Sequence, residues 1–454
     1  WKPAEEAGFD AVVGNPPYVS AWSMTNLDAN IRSILVNLMD KQDLLKGHWD
    51  LYVAFIAKSY NLSKMGGSFS FIIPNAFCRE KYAFKLRKYL LENAKLASIL
   101  SFGDENVFEE VSRQTIVPVF SKTMPNLDDQ RVRVDVHEED MPVYQSKILR
   151  EILQQRFLRV SGCQILYETS DRHFEILRKI ESLSGRLGDF CYVNYGAQIS
   201  SRAKGGFGKE DVVSFSKIGN SKRFFDGKNI DRYEVIWDGR YLDYRPNDMY
   251  GPRSPELFES EKIVIRDVTG PDGTIIASID NEGLYCDHLI ICATYYENIS
   301  DTDAFVNFEG YTKSEPPYPS LYYLLAIIAS KVNSWHFREF HATDTLQGSY
   351  SHTYPQQIRA FPIRRIAFTT PAGERERLVA EARALYERQG APREAPTDWR
   401  GWREHWRALW EWADARLPRL PDTGHEQSDA VHDLLALLAE RMIALHKAKQ
   451  ETAR

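Results

Sequence analysis

Apolar positions along the chain fall into two regimes, and the change comes near residue 166. Before it, short apolar runs alternate with stretches of helical period. Asp10 to Gly14 reads as a short buried strand. HWDLYVAFIAKSYNLSKMGG has the spacing of an amphipathic helix, with Gly66 and Gly67 placed to cap its end. SFSFIIP predicts a strand stopped by Pro74, residues 77–93 a helix, and ASILSF and QTIVPVFSK two further strands. Strands alternating with helices argue an α/β class with a doubly wound sheet.

After Leu166 a helix, HFEILRKIESL, leads into short strands broken by glycine and proline: YVNYGAQISSRAKGGFG, KIVIRDV and TIIASIDNEGLYCDHLIICATYY. This predicts a mostly β, α+β domain. From about residue 366 the pattern is helical again. One block places Trp399, Trp402, Trp406 and Trp410 at spacings of three and four, which predicts the core of a helical hairpin. The last block, VHDLLALLAERMIALHKAK, repeats apolar residues at helical period and is expected to pack against the preceding domain. Three regions follow: 1–165, 166–365 and 366–454.

Composition narrows the class without naming a function. Of 454 residues, 43% are hydrophobic and 26% charged, ordinary for a globular chain. No apolar run is long enough to span a membrane, so no membrane role is expected. Five scattered cysteines suggest reduced thiols, as in a cytoplasmic protein. A net charge of −6 does not advertise a nucleic-acid partner, so any such surface must be local. The chain opens with Trp1 and enters a strand almost at once, which reads as a piece of something longer.

The candidate chemistry lies at the end of the first strand, where Asn15, Pro16, Pro17 and Tyr18 follow Gly14. Consecutive prolines cannot donate to a ladder, so the strand stops there. Pro17 forces Pro16 into an extended conformation. The Pro16 carbonyl and the Asn15 side-chain oxygen can then face one small donor. Two acceptors around one amino group favour a tetrahedral nitrogen whose lone pair can attack. Tyr18 adds a face on which a planar group can stack. Carboxyl ends of strands are also where open α/β sheets bind ligands.

The tetrapeptide resembles the catalytic motif of amino-methyltransferases that use S-adenosylmethionine. DLYVAFIAKSYNL, GGSFSFIIPNAFC and VFEEVSRQTIVPVF, in that order, resemble the downstream motifs of DNA adenine-N6 methyltransferases of the Taq-type and type IIG group. The resemblance implies that Phe108 packs against an adenine flipped out of double-stranded DNA, since the amine is unreachable inside a duplex. FFDGKNIDRYEV, DYRP and LFESEKIVIRDV resemble the Taq-type target-recognition domain, so 1–165 would be the catalytic half and 166–365 the specificity domain. Between Arg202 and Arg232 there are eight Lys or Arg against four Asp or Glu. Arg202, Lys204, Lys228, Arg232 and Arg266 are the candidate phosphate contacts.

A glycine-rich turn and a ribose-binding acid for the cofactor are not found. GGFG at Gly205–Gly208 follows a polar run and reads as a loop. The cofactor half is therefore expected upstream of Trp1, a fused or associated restriction nuclease is a candidate partner, and the isolated chain is expected to be inactive. Glu259, Glu261 and Lys262 suggest the shape of a nuclease core, yet no supporting Asp precedes them. Cys286, His288 and Cys292 would share one strand face, without the paired spacing of a zinc site. A protein glutamine methyltransferase and a non-catalytic DNA-binding module are the alternative readings.

Overall fold

The computed structural model describes residues 7–19, 44, 49–103, 107, 114–138, 141–142, 145–202, 206–270, 273–300, 311–341, 351–417 and 426–453. They fall into two compact units, divided after Asp171.

The first unit is built on one mixed sheet. Its strands are β1 (Phe9–Gly14), β2 (Ser63–Phe71), β3 (Ile73–Pro74), β4 (Lys95–Ser101), β5 (Thr115–Ser121), β6 (Arg131–Val136) and β7 (Lys147–Leu153). The order is β1-β2-β5-β4-β6-β7, with β3 pairing β5. β1/β2 and β4/β6 run parallel, while β5 is inserted antiparallel between β2 and β4. Two helices, α1 (Leu51–Leu62) and α2 (Phe84–Asn93), supply much of the core, with Tyr52, Val53, Ile56, Leu86 and Leu90 packed beside Phe69, Phe120 and Ile99.

Three local expectations are corrected here. β1 is not buried: it is the sheet's edge strand among the described residues, with Phe9 59% and Val13 77% exposed. Gly66 and Gly67 do not cap α1, which ends at Leu62; both lie inside β2. Gly66 has φ +77°, and a Cβ on Gly67 would stand 2.7 Å from the Phe9 carbonyl oxygen. The glycines thus permit the bulge that shifts the β1/β2 register between Phe9 and Ala11. Residues 77–93 are not one helix but two short turns followed by α2. Buried Arg87 explains the break: its guanidinium donates to the carbonyls of Phe77 and Glu80 at 2.8 and 2.6 Å, groups that a continuous helix would have bonded itself, and ties them to the Gly162 carbonyl at 2.9 Å.

The second unit opens with α3 (Asp171–Leu183) and centres on an antiparallel sheet ordered Ala277–Asp280, Lys262–Arg266, Ile290–Tyr295 and Cys191–Tyr195. Alternate residues of these strands feed two cores. Ile263, Ile265, Ile291 and Ala293 pack under α4 (Leu321–Ile328) and α5 (Lys331–Phe340), so the region is less purely β than its glycine-rich pattern suggests. Val264, Ile290 and Cys292 face the other core, formed with Phe224, Phe225, Phe258 and Tyr285.

The C-terminal helices α6 (Ala372–Gln389), α7 (Trp399–His405), α8 (Arg407–Asp414) and α9 (Ser428–Ala453) belong to this unit. As expected, the last helix packs on the recognition region: Leu435, Ala436 and Ile443 of α9 join its core. The tryptophan stripe is corrected. The helix breaks at Trp406, whose backbone leaves the helical region, so the 3–4 spacing does not continue into α8. Trp412, 5% exposed, enters the core, while Trp399, Trp402 and Trp410 face outward.

Candidate active site and recognition surface

Asn15 to Tyr18 leave β1 at its carboxyl end and are tied down on three sides. The Ile72 amide donates to the Gly14 carbonyl at 3.4 Å, the Leu51 amide to the Val19 carbonyl at 2.9 Å, and the Tyr18 hydroxyl to the Ile72 carbonyl at 2.9 Å. Pro16 is buried and Tyr18 half-buried, whereas Asn15 is exposed. Burial pushes the Tyr18 hydroxyl up to about 12, so it stays protonated as the donor to Ile72. The result is a tethered segment whose Asn15 side chain is exposed and has no partner among the described residues.

Asn75, just past β3, continues this wall. Its amide donates to the Gln114 carbonyl at 2.8 Å, and its side-chain nitrogen to the Gln114 side-chain oxygen at 3.0 Å. That pins the strand entering β5 beside the segment that holds Tyr18. Sequence pattern did not single out Asn75, because its partner is 39 residues away. Phe108 lies outside the described residues.

Among the described residues, no glycine-rich turn follows a strand in the way the cofactor's methionine end requires. β1 runs straight into Asn15 with no glycine turn, and Gly206 and Gly208 lie in a loop, where Gly208 precedes the turn Lys209–Asp211. Among the described residues no cluster could hold a metal ion, and no helix is long and apolar enough to cross a membrane.

The five phosphate candidates are placed differently from one another. Lys228 is exposed on the turn Gly227–Asn229, with Asp238 4.0 Å away. Arg232 sits at the tip of a hairpin between Ile230–Asp231 and Glu234–Val235, its guanidinium 5.3 Å from the Tyr233 ring. Tyr233 takes the left-handed region at φ 63°, costly for a bulky residue, and its amide donates to the Ala277 carbonyl at 2.8 Å. Glu234 of the same hairpin bonds Gln450 of α9. Arg202 is exposed but paired with Glu210. Arg266 donates to the carbonyls of Val268 and Thr269 at 2.8 and 3.3 Å, which makes it a clamp on its own turn. Lys204 lies outside the described residues.

What holds this surface is a buried ion network that sequence spacing did not reveal. Arg240 donates to Asp226 at 2.9 Å, Asp238 at 2.8 Å and Asn229 at 2.6 Å, and Lys209 bridges Asp226 and Asp287 at 3.1 and 2.5 Å. Burial alone would raise the Asp226 carboxyl, but bonds from Arg240 and Lys209 outweigh it and hold the group at about 2. The turn carrying Lys228 is thereby fixed from both ends.

The nuclease-like triplet resolves as structure. Glu259 pairs with Lys222 and accepts from Tyr285, at 2.9 and 2.8 Å, and Lys262 is fully buried against Asp280. Cys286 and Cys292 are not on one strand as expected. They sit on neighbouring segments with their sulfurs 3.4 Å apart in the core.

Residues 1–108 match the family model of the Eco57I restriction-modification methylase, and residues 222–363 that of the TaqI-like C-terminal specificity domain. The chain joins a restriction–modification methylase segment to a TaqI-like specificity domain. The resemblance drawn from Asn15–Tyr18 and the downstream motifs is thus upheld. The Escherichia coli type II restriction enzyme and methyltransferase Eco57I is 32% identical over 25% of this chain and 11% of its own. The type II methyltransferase HindII of Haemophilus influenzae is 26% identical over 53% of this chain and 51% of its own. A type II restriction enzyme and methyltransferase of Methanocaldococcus jannaschii, itself assigned only provisionally, is 23% identical over 79% of this chain and 27% of its own. The chain spans about half or less of the length of these relatives.

Proposed function

We propose that this methylase segment acts in site-specific methylation of adenine N6 in double-stranded DNA, within a restriction–modification system. The observation that carries the reading is the tethered Asn15–Tyr18 segment, with the Asn15 amide exposed and the Tyr18 hydroxyl bonded to the Ile72 carbonyl. S-adenosylmethionine supplies the electrophilic methyl group in this reading, held by strands that add to the open edge of β1. Phe9 and Val13, exposed on that strand, are surfaces such strands would cover.

The Asn15 side-chain oxygen and the Pro16 carbonyl accept the two protons of the adenine amine. Both acceptors draw density toward nitrogen and turn its lone pair out of the ring plane. Tyr18 stacks on the extruded base, and Phe108 packs against it. Lys228 and Arg232 hold phosphates, and the Arg240 network keeps their turns in register. Incubation of the complete protein with labelled cofactor and DNA, followed by nucleoside analysis, tests the reading. Label in N6-methyladenine supports it; label in cytosine or in protein glutamine overturns it.

A further inference from the structure

The last turns of α9 meet the recognition region through polar rather than apolar side chains. Ile443, His446 and Gln450 are half-buried there, while the residues between them are exposed. Spacings of three and four put all three on one face of the helix. Ile443 packs on the same core as Tyr233. Further along that face, His446 Nδ1 stands 3.8 Å from one carboxylate oxygen of Glu234, and the Gln450 side-chain amide donates to the other. Lys447 lies 3.6 Å from Glu282, which also pairs with Arg223 at 2.8 Å. The end of the helix is thus tied to two separate turns.

The hairpin that carries Arg232 needs such a tie. Its strands, Ile230–Asp231 and Glu234–Val235, are two residues each, too short for their own ladder to hold them. Between them Tyr233 keeps a left-handed backbone, which persists only where the surroundings impose it. The Tyr233 amide bond to Ala277 and the Ile236 amide bond to Asn229, both 2.8 Å, fix the backbone on one side. The Glu234 side chain, next to the strained residue, is held by α9. Arg232, on the other side of Tyr233, has its Nε buried without a partner among the described residues, and its guanidinium lies 5.3 Å from the Tyr233 ring. A shift of Tyr233 would therefore carry Arg232 with it.

We propose that the end of α9 sets the conformation in which this hairpin presents Arg232 to DNA, with Gln450 and His446 as positioning residues acting through Glu234. The DNA part rests on the reading of Arg232 as a phosphate contact; the brace itself does not.

Deuterium exchange of residues 230–236 in the complete protein tests the brace. His446→Ala/Gln450→Ala should speed exchange there roughly tenfold, the loss of one bond to a charged group, with Lys262–Arg266 unchanged. Glu234→Gln/Gln450→Glu keeps an amide-to-carboxylate bond with the roles exchanged and should restore slow exchange. Should the alanine pair fail to fold by circular dichroism, Gln450→Glu alone, which opposes two carboxylates, takes its place. In titrations with a mixed-sequence duplex of about 20 base pairs, Arg232→Ala should lower the salt slope by about one in the wild-type and exchanged backgrounds, and by nothing in the alanine pair. Unchanged exchange at 230–236, equal acceleration at Lys262–Arg266, or an equal effect of Arg232→Ala in all backgrounds would overturn the proposal. If Arg232→Ala leaves the wild-type slope unchanged, the phosphate reading fails, and exchange alone decides the brace.

Discussion

Replacing Arg240 with methionine keeps most of the side-chain volume and removes the charge that organises the turn carrying Lys228. Asp226 would keep only Lys209, Asn229 would lose its 2.6 Å donor, and Asp238 its bidentate partner. Removing one partner of a buried pair costs about 3–5 kcal/mol, and the surviving Lys209 bond puts this case near the lower end, about 3 kcal/mol. At 1.36 kcal/mol per tenfold, amides of residues 222–242 should exchange with deuterium roughly 150-fold faster in the variant.

A second readout is acid. A carboxyl held at about 2 rather than 3.8 contributes roughly 2 kcal/mol. Because the folded value is depressed, that contribution is complete above the ordinary carboxylate range and is lost as pH falls through about 2. In the variant the Asp226 carboxyl rises, so less of this stability is left to lose below pH 4. Exchange accelerated less than about fivefold, with an unchanged acid profile, would refute the claim that Arg240 holds the turn.

Three further outcomes are expected. Lys228→Ala and Arg232→Ala should each weaken DNA binding and reduce its salt slope by about one, while Arg266→Ala should act through stability instead; unchanged slopes for both would return the two turns to plain surface. Trp412→Ala should destabilise the helical region by about 3–5 kcal/mol, and Trp410→Ala by less than about 0.5, as read by thermal unfolding; equal effects would contradict the assignment of core and face. Calorimetric titration of this 454-residue chain with S-adenosylmethionine should show no saturable binding, and micromolar binding would reveal a cofactor site within it.

The candidate segment stood out because its residues are contiguous: Asn15 to Tyr18 place a side-chain acceptor, two prolines and an aromatic face in four positions. Strand β1 was placed correctly but its burial was not, since burial depends on neighbours rather than on the strand's own residues. Gly66 and Gly67 followed a helix as caps do, yet their conformation serves a bulge against Phe9. The tryptophan stripe failed because a break at one residue rotates everything after it. The network of Lys209, Asp226, Arg240 and Asp287 joins positions up to 78 apart, and no local pattern announces it.

The central claim is that the Asn15 side chain acts on the reacting amine. In the complete protein, methyl transfer to DNA and DNA affinity are measured side by side for wild type and Asn15→Ala. The account predicts that transfer is abolished while affinity stays within about threefold. Transfer at near wild-type rate by the variant would contradict it.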